Sequence, residues 1–302
     1  MVNTLGFAIL DGQYVQVVDG VIYKRDKNHV YNLMVDIVSQ EDVCFCVRVR
    51  NTDLTFRVDR KTLQTKAQKE LRGNVNMIAF PAFDREILRD TANDVYFHFK
   101  NCSLHITKEW AETIERTGEK VIWEDQIIEF ELNEQPEGAG SFEDYLGKIA
   151  GENFNSFKSA LGMVLRNYNG SEGMRALWLC DERYEVGKQN GRTGKGIFWK
   201  AATKVRKVDD CSGKDFTPDN QFKFQNMSRT TQIFVIDDVK QHFDFRSMYN
   251  YCTEGAEFER KHMDKIKLPL KETPQLIITS NYPPEIEQGS STTGRLFILP
   301  LK

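Results

Sequence analysis

The chain reads as an α/β protein: a domain on a parallel central sheet, preceded by a β-rich α+β N-terminal domain and a short helical segment. Three observations predict this. A glycine-bracketed lysine, in Gln189-Asn190-Gly191-Arg192-Thr193-Gly194-Lys195-Gly196, lies between the apolar run Ala176-Leu177-Trp178-Leu179-Cys180 and a helical stretch through Ile197, Phe198, Trp199 and Ala201. Downstream, Ile233-Phe234-Val235-Ile236 ends in Asp237-Asp238, an apolar run of the kind that forms a strand buried on both faces. Residues 1–132 instead show period-two alternation broken by turn signals.

Within 1–132, Tyr14–Tyr23 is a hairpin around Asp19-Gly20. Cys44–Arg50 and Leu54–Val58 pair across Asn51-Thr52-Asp53, Val95–Ile106 forms another hairpin, and Val121-Ile122-Trp123 through Gln126-Ile127-Ile128 closes the region. It reads as an accessory domain that contacts DNA or a partner. It lacks a pair of catalytic acids with a metal-binding histidine, so no primase site is expected. Arg48, Arg50, Arg57, Arg60 and Lys61 make either a basic face or a merely solvated one. Residues 133–140 are polar and turn-rich, a linker. In 141–172, Phe142, Tyr145, Leu146 and Ile149 fall on one helical face and Phe157, Leu161, Val164 and Leu165 on another, with Gly151 between and Ser141 as the expected N-cap. This collar-like unit should pack beside the sheet.

The chemistry concentrates in 173–302. Glycines around a lysine at a helix start let backbone N–H groups turn toward phosphate oxygens, with the helix dipole adding positive potential and Lys195 reaching the outer phosphates. The loop departs from GxxxxGK[ST] at two places: Gln189 stands for the first glycine, and Gly196 stands where a hydroxyl would bind Mg²⁺. Asp237 and Asp238, at the carboxyl end of a parallel strand, share the loop's sheet edge, Asp237 to hold Mg²⁺ and Asp238 to polarise a water; the same pair also suits capping of a following helix. A third strand, Pro274–Asn281, ends in Asn281, placed to hold the attacking water or touch the γ-phosphate, or to serve simply as a turn residue before Tyr282-Pro283-Pro284. A fourth runs Arg295–Leu299, where Arg295 either neutralises charge on a phosphoryl group, in its own subunit or a neighbour's, or is solvated.

In order and spacing these motifs resemble the superfamily 3 helicases of viruses, phages and plasmids, AAA+ ATPases often described as phage primase-helicases. The resemblance spans Arg175 to Leu299 of the 302 residues. It implies that Asn190, Gly191, Arg192, Thr193, Gly194, Lys195 and Gly196 bind ATP. It implies further that Asp237 binds Mg²⁺, Asp238 and Asn281 act on water and γ-phosphate, and Arg295 is an arginine finger. The family also carries a basic hairpin that contacts single-stranded DNA in a ring channel. Cys252–Lys261 looks like it, with Arg260 and Lys261 at the tip and Lys265 and Lys267 on the returning strand. An ordinary helix with i,i+4 charge pairs through Glu257–His262 is the bland alternative.

The resemblance implies a homo-oligomeric ring, a hexamer, that hydrolyses ATP to move along single-stranded DNA in phage or mobile-element replication, with a primase or other replication proteins as partners. A nucleotide-binding initiator or loader without sustained unwinding is the second reading, which the absent hydroxyl at 196 would permit. A P-loop small-molecule kinase would leave the Thr279-Ser280-Asn281 strand, the basic hairpin and Arg295 unexplained. Lys+Arg 41 against Asp+Glu 44 gives net charge −3, so no global basic field draws the chain to nucleic acid. A channel needs only a local ring of lysines. The six cysteines form no CxxC pair, which argues against structural zinc and a disulfide framework. There is no signal peptide and no apolar run long enough to span a membrane. The expected location is therefore the cytoplasm, of a host cell if phage-encoded.

Overall fold

The computed structural model of the chain describes residues 5–39, 46–48, 55–71, 80–116, 118–133, 140–183, 192–261, 265–286 and 290–302. Two compact units emerge: Met1–Ile87 with Gly118–Ile122, and Leu88–Thr117 with Trp123–Lys302. The division falls at Leu88, whereas the sequence suggested a linker at 133–140, most of which (134–139) lies outside the described residues.

The first unit begins with β1 (Phe7–Leu10), β2 (Gln13–Val18) and β3 (Val21–Arg25), an antiparallel meander. Both turns are Asp-Gly with consecutive positive φ, 49° and 70° at Asp11-Gly12 and 49° and 76° at Asp19-Gly20, the mirror-image turn whose twist suits a hairpin. The second was legible in advance; the first carries the same signal. Two helices had not been placed: α1 (Lys27–Ser39), and α2 (Arg60–Leu71), which follows the short antiparallel pair β4 (Cys46–Arg48) and β5 (Thr55–Arg57). Each starts at an aspartate. Asp26 Oδ1 accepts the His29 N–H at 2.7 Å, and Asp59 Oδ2 accepts from Thr62 N at 2.9 Å. The Thr62 bonds hold the Asp59 carboxyl below its ordinary range. Phe7, Tyr14, Val30, Met34 and Phe80 form the core between sheet and α1. The fourth strand of this sheet, β9 (Ile122–Trp123), arrives later in the chain, after β6 (Val95–Phe99), β7 (Ser103–Ile106) and β8 (Ala111–Ile114) of the second unit.

In the second unit, β6, β7 and β8 form an antiparallel meander, with β10 (Ile127–Ile128) added parallel to β6. A buried ion pair ties this small sheet to the rest of the unit. Arg206 donates to Asp90 Oδ2 at 2.9 Å, with both side chains 3% exposed, and also to the Leu165 and Tyr96 carbonyls, while its guanidinium lies 4.1 Å over the Phe97 ring. Asp90 accepts the Tyr96 and Asn167 backbone N–H groups, so both charges are saturated with partners.

Next come α3 (Ser141–Ala150) and α4 (Phe154–Leu165), broken by Gly151 at φ 54°. Ser141 is not the N-cap. Gly140 holds that extended position with no side-chain bond, and Ser141 is the first helical residue. The remaining elements are β11 (Ala176–Asp181), α5 (Lys195–Ala202), β12 (Val208–Ser212), β13 (Ile233–Val239), α6 (Tyr249–Thr253), β14 (Gly255–Phe258), β15 (Ile266–Pro269), β16 (Gln275–Ser280), α7 (Ser290–Thr293) and β17 (Leu296–Leu301). Five strands form one sheet, all pairs parallel, in the order β12-β13-β16-β11-β17. Strand β12 was not foreseen, because Val208-Asp209-Asp210-Cys211-Ser212 is polar, as an edge strand tolerates.

Strand alternation sends side chains to two cores. Ala176, Trp178, Phe234, Ile236, Leu276 and Ile278 pack with Phe224, Phe245, Tyr251, Phe258 and Leu268. Leu177, Leu179, Ile233, Val235, Ile277 and Leu299 pack with Leu146, Ile149, Phe157, Val164, Phe198 and Trp199 of α3, α4 and α5. The helical pair thus lies on the sheet as its periodicity required. Among the described residues no helix is long and apolar enough to cross a membrane.

Candidate functional site: a phosphate-loop cleft at the carboxyl edge of the sheet

The chain leaves β11 through α5, crosses to the far edge at β12, returns through β13 and β16, and then passes over β11 to β17. The order therefore reverses around β11, and a crevice opens beyond the carboxyl ends of such strands. A cleft of about 580 Å³ lies there, between Arg192–Ile197 on one side and Asp237, Asp238, Thr279 and Asn281 on the other.

Lys195 is the first residue of α5, and Gly194 before it has φ 99°. A Cβ at 194 would stand 2.1 Å from the Tyr145 hydroxyl, which donates to the Gly194 carbonyl at 2.6 Å, so α3 braces the loop and only glycine fits. Arg192 also has positive φ, 66°. The Lys195 ammonium donates to three oxygens: Asp181 Oδ1, Thr193 Oγ1 at 3.2 Å and Asn281 Oδ1 at 3.1 Å. The Thr193 hydroxyl donates to that same Asp181 oxygen. Gly196 lies within α5, and a Cβ added there meets nothing within 4 Å. Asn190 and Gly191 lie outside the described residues.

Opposite the loop, the β13–β16 register shifts between Ile236 and Val239. Asp238 sits in this bulge at φ 61°. Thr279 Oγ1 donates to Asp237 Oδ1 at 2.7 Å and accepts the Asp238 N–H at 2.7 Å, tying both residues of the bulge to β16. Lys214 Nζ is 2.7 Å from Asp238 Oδ2, and that bond and charge raise the Lys214 amine above its ordinary range. Mg²⁺ is usually held by one or two carboxylates together with phosphate oxygens, and the end of β13 presents such a donor set. The helix-capping alternative does not apply: β13 continues through the acids to Val239.

Arg295 lies elsewhere. It precedes β17, which runs parallel to β11 with Ala176 opposite Leu296, and its carbonyl accepts the Ala176 N–H at 2.8 Å. That is the amino edge of the sheet, on the order of 15–20 Å from the cleft by strand rise. Its guanidinium packs 4.8 Å over the Tyr249 ring and donates to Ser291 O at 2.6 Å. Of the two expectations for Arg295, its own subunit's phosphates or a neighbour's, this strand direction puts the first out of reach.

The basic segment forms a hairpin, with Glu257 opposite Lys267 and Phe258 opposite Ile266. The alternative helix does not start at Glu257, because Glu257 and Phe258 lie in β14 and pair with β15; at Gly255, where φ is 117° and a Cβ would stand 2.2 Å from Leu268 O, only glycine fits. Arg260 is tied to the Gln225 and Met227 carbonyls, whereas Lys261 is exposed. Lys265 and Lys267 both pair with Glu257 and together hold its carboxyl below the ordinary range. Reading the sequence missed Asp181, Tyr145 and Lys214. Asp181 alone left a signal, a lone acid ending an apolar strand.

No family model matches the chain, and no curated protein matches it. Among solved structures, the chain is similar to the apo A form of the NrS-1 C-terminal region at 14% identity and TM-score 0.42, with 85% of this chain and 56% of that one covered. It is also similar to the same region at residues 305–718, at 14% identity and TM-score 0.41, covering 92% of this chain and 62% of that one. A third is JCV helicase bound to a thiazolopyridine acetamide, at 15% identity and TM-score 0.33, covering 54% of this chain and 46% of that one. The chain spans between 46% and 62% of the length of these solved chains.

Proposed function

We propose that the chain is an ATP-dependent DNA helicase of the superfamily 3, AAA+ type, which hydrolyses ATP as a homo-oligomeric ring, a hexamer, to move along single-stranded DNA in phage or mobile-element replication. The observation that carries this reading is the convergence of Lys195, Asp237, Asp238 and Asn281, from three segments far apart in the chain, on one cleft at the carboxyl edge of a parallel sheet. Lys195 binds the outer phosphates, Asp237 holds the metal, Asp238 polarises the attacking water and Asn281 senses the γ-phosphate. Mg²⁺, when bound, neutralises charge on the phosphate oxygens. Arg295 reaches a neighbouring subunit's nucleotide, a role suited to its distance from the cleft of its own chain. Lys261, at the hairpin tip, is the DNA contact; Arg260 shapes the tip, and Lys265 is shared with Glu257. A primase and other replication proteins are its partners.

A second reading has its own observation. Gly196 carries no hydroxyl beside Lys195, which suits a replication initiator or loader that binds nucleotide without sustained unwinding. ATP turnover with and without single-stranded DNA separates the two. Stimulation by DNA is expected for the helicase, and nucleotide binding with no stimulation would favour the initiator.

A further inference from the structure

Asp181 stands outside the motif that assigns this cleft, yet it holds the motif's central residue. It closes β11, its side chain is 1% exposed, and one of its oxygens takes both the Lys195 ammonium and the Thr193 hydroxyl. Its second oxygen, Oδ2, is buried without a partner.

An ammonium group has three hydrogens, and in this structure Asp181, Thr193 and Asn281 accept all three. A phosphate can therefore engage Lys195 only by displacing one of these oxygens. Thr193 and Asn281 are neutral acceptors, but Asp181 is an anion, and two anions on one ammonium repel. We infer that Asp181 is a latch: an internal counter-ion that occupies Lys195 in place of phosphate and sets the resistance of the loop to admitting a nucleotide. When the ammonium turns to phosphate, Asp181 retains the Thr193 hydroxyl and otherwise becomes a buried, under-partnered carboxylate, and this state is the resistance. This makes Asp181 a positioning residue. The inference rests on the nucleotide reading given above, and its test separates the two.

The experiment titrates fluorescent ATP into the full chain in EDTA and then in Mg²⁺, for wild type and Asp181→Asn, a substitution that keeps the shape and an acceptor oxygen but removes the charge. Mg²⁺-free affinity should rise on the order of tenfold in Asp181→Asn, as expected when a charge-assisted competing bond is removed, and the ratio of affinities with and without Mg²⁺ should shrink. Unchanged or weaker Mg²⁺-free binding by the folded variant overturns the latch while leaving the nucleotide site standing. Failure of folded wild type to bind under either condition overturns the nucleotide site and the latch with it. Should Asp181→Asn not fold, the side-chain carboxyl carbon resonance of Asp181 in wild type gives the answer: it should shift on addition of ATP, and an unmoved signal overturns the latch.

Discussion

The hydroxyl of Thr279 donates to Asp237 Oδ1 at 2.7 Å from the end of the adjacent strand, and Thr279 Oγ1 in turn accepts the Asp238 N–H. One buried side chain therefore holds the Asp237 carboxylate and the Asp238 backbone across a bulge that would otherwise leave the Asp238 N–H without a strand partner. Thr279→Val keeps the volume and removes both bonds. Leaving two part-buried polar groups unmatched should cost about 1 kcal/mol of stability, read by urea unfolding, and ATP turnover should fall by more than the stability loss explains. Normal turnover would separate Thr279 from the chemistry.

Lys195→Ala should abolish ATP turnover and weaken nucleotide binding while the protein stays folded, because Lys195 is the ammonium at the start of α5 on which the phosphate reading turns. Turnover is measured by phosphate release and folding by circular dichroism. Unchanged hydrolysis would refute the phosphate-loop assignment.

Gly196→Ser tests the missing hydroxyl. The position has open space for a Cβ, so the substitution should be tolerated. A Mg²⁺ titration of ATPase activity should show a severalfold lower Mg²⁺ requirement or a higher maximal rate. If both worsen in a folded protein, the metal is held without help from this position.

At the hairpin, Lys261→Ala and the Arg260→Ala, Lys261→Ala double variant should each lose affinity for a labelled single-stranded oligonucleotide, with a flatter salt dependence, since each phosphate contact releases counterions. Because Arg260 also binds the Gln225 and Met227 carbonyls, the double variant should melt lower and Lys261→Ala should not. DNA-free ATP turnover should survive in Lys261→Ala. Equal anisotropy curves and salt slopes for Lys261→Ala and wild type would remove the hairpin from the DNA path.

Asp90→Ala leaves the Arg206 guanidinium buried and uncompensated in the second unit. The loss should be about 3–5 kcal/mol in denaturant unfolding, against well under 1 kcal/mol for breaking the exposed Lys158–Glu143 pair by Glu143→Ala. Equal effects would show that burial at Asp90 carries no energetic weight.

Local patterns determined a good deal. Apolar runs too continuous for a solvated strand required a sheet covered on both faces, Asp19-Gly20 required a hairpin turn, and a lysine after glycines marked the loop that opens α5. These are short-range consequences of backbone sterics and side-chain period, and they survive folding unchanged. Strand β12 and the helices α1 and α2 were harder to see, because a polar edge strand and modestly amphipathic helices take much of their stability from what they pack against. Only tertiary structure could bring Asp181 onto Lys195, Tyr145 against Gly194 and Thr279 between the two acids, since each contact joins segments whose separation in sequence carries no information about their distance in space. Strand direction decided the place of Arg295 in the same way: in a parallel sheet the start of β17 lies at the edge opposite the ends of β11, β13 and β16, so a residue that looked adjacent to the motifs in sequence is remote from their cleft.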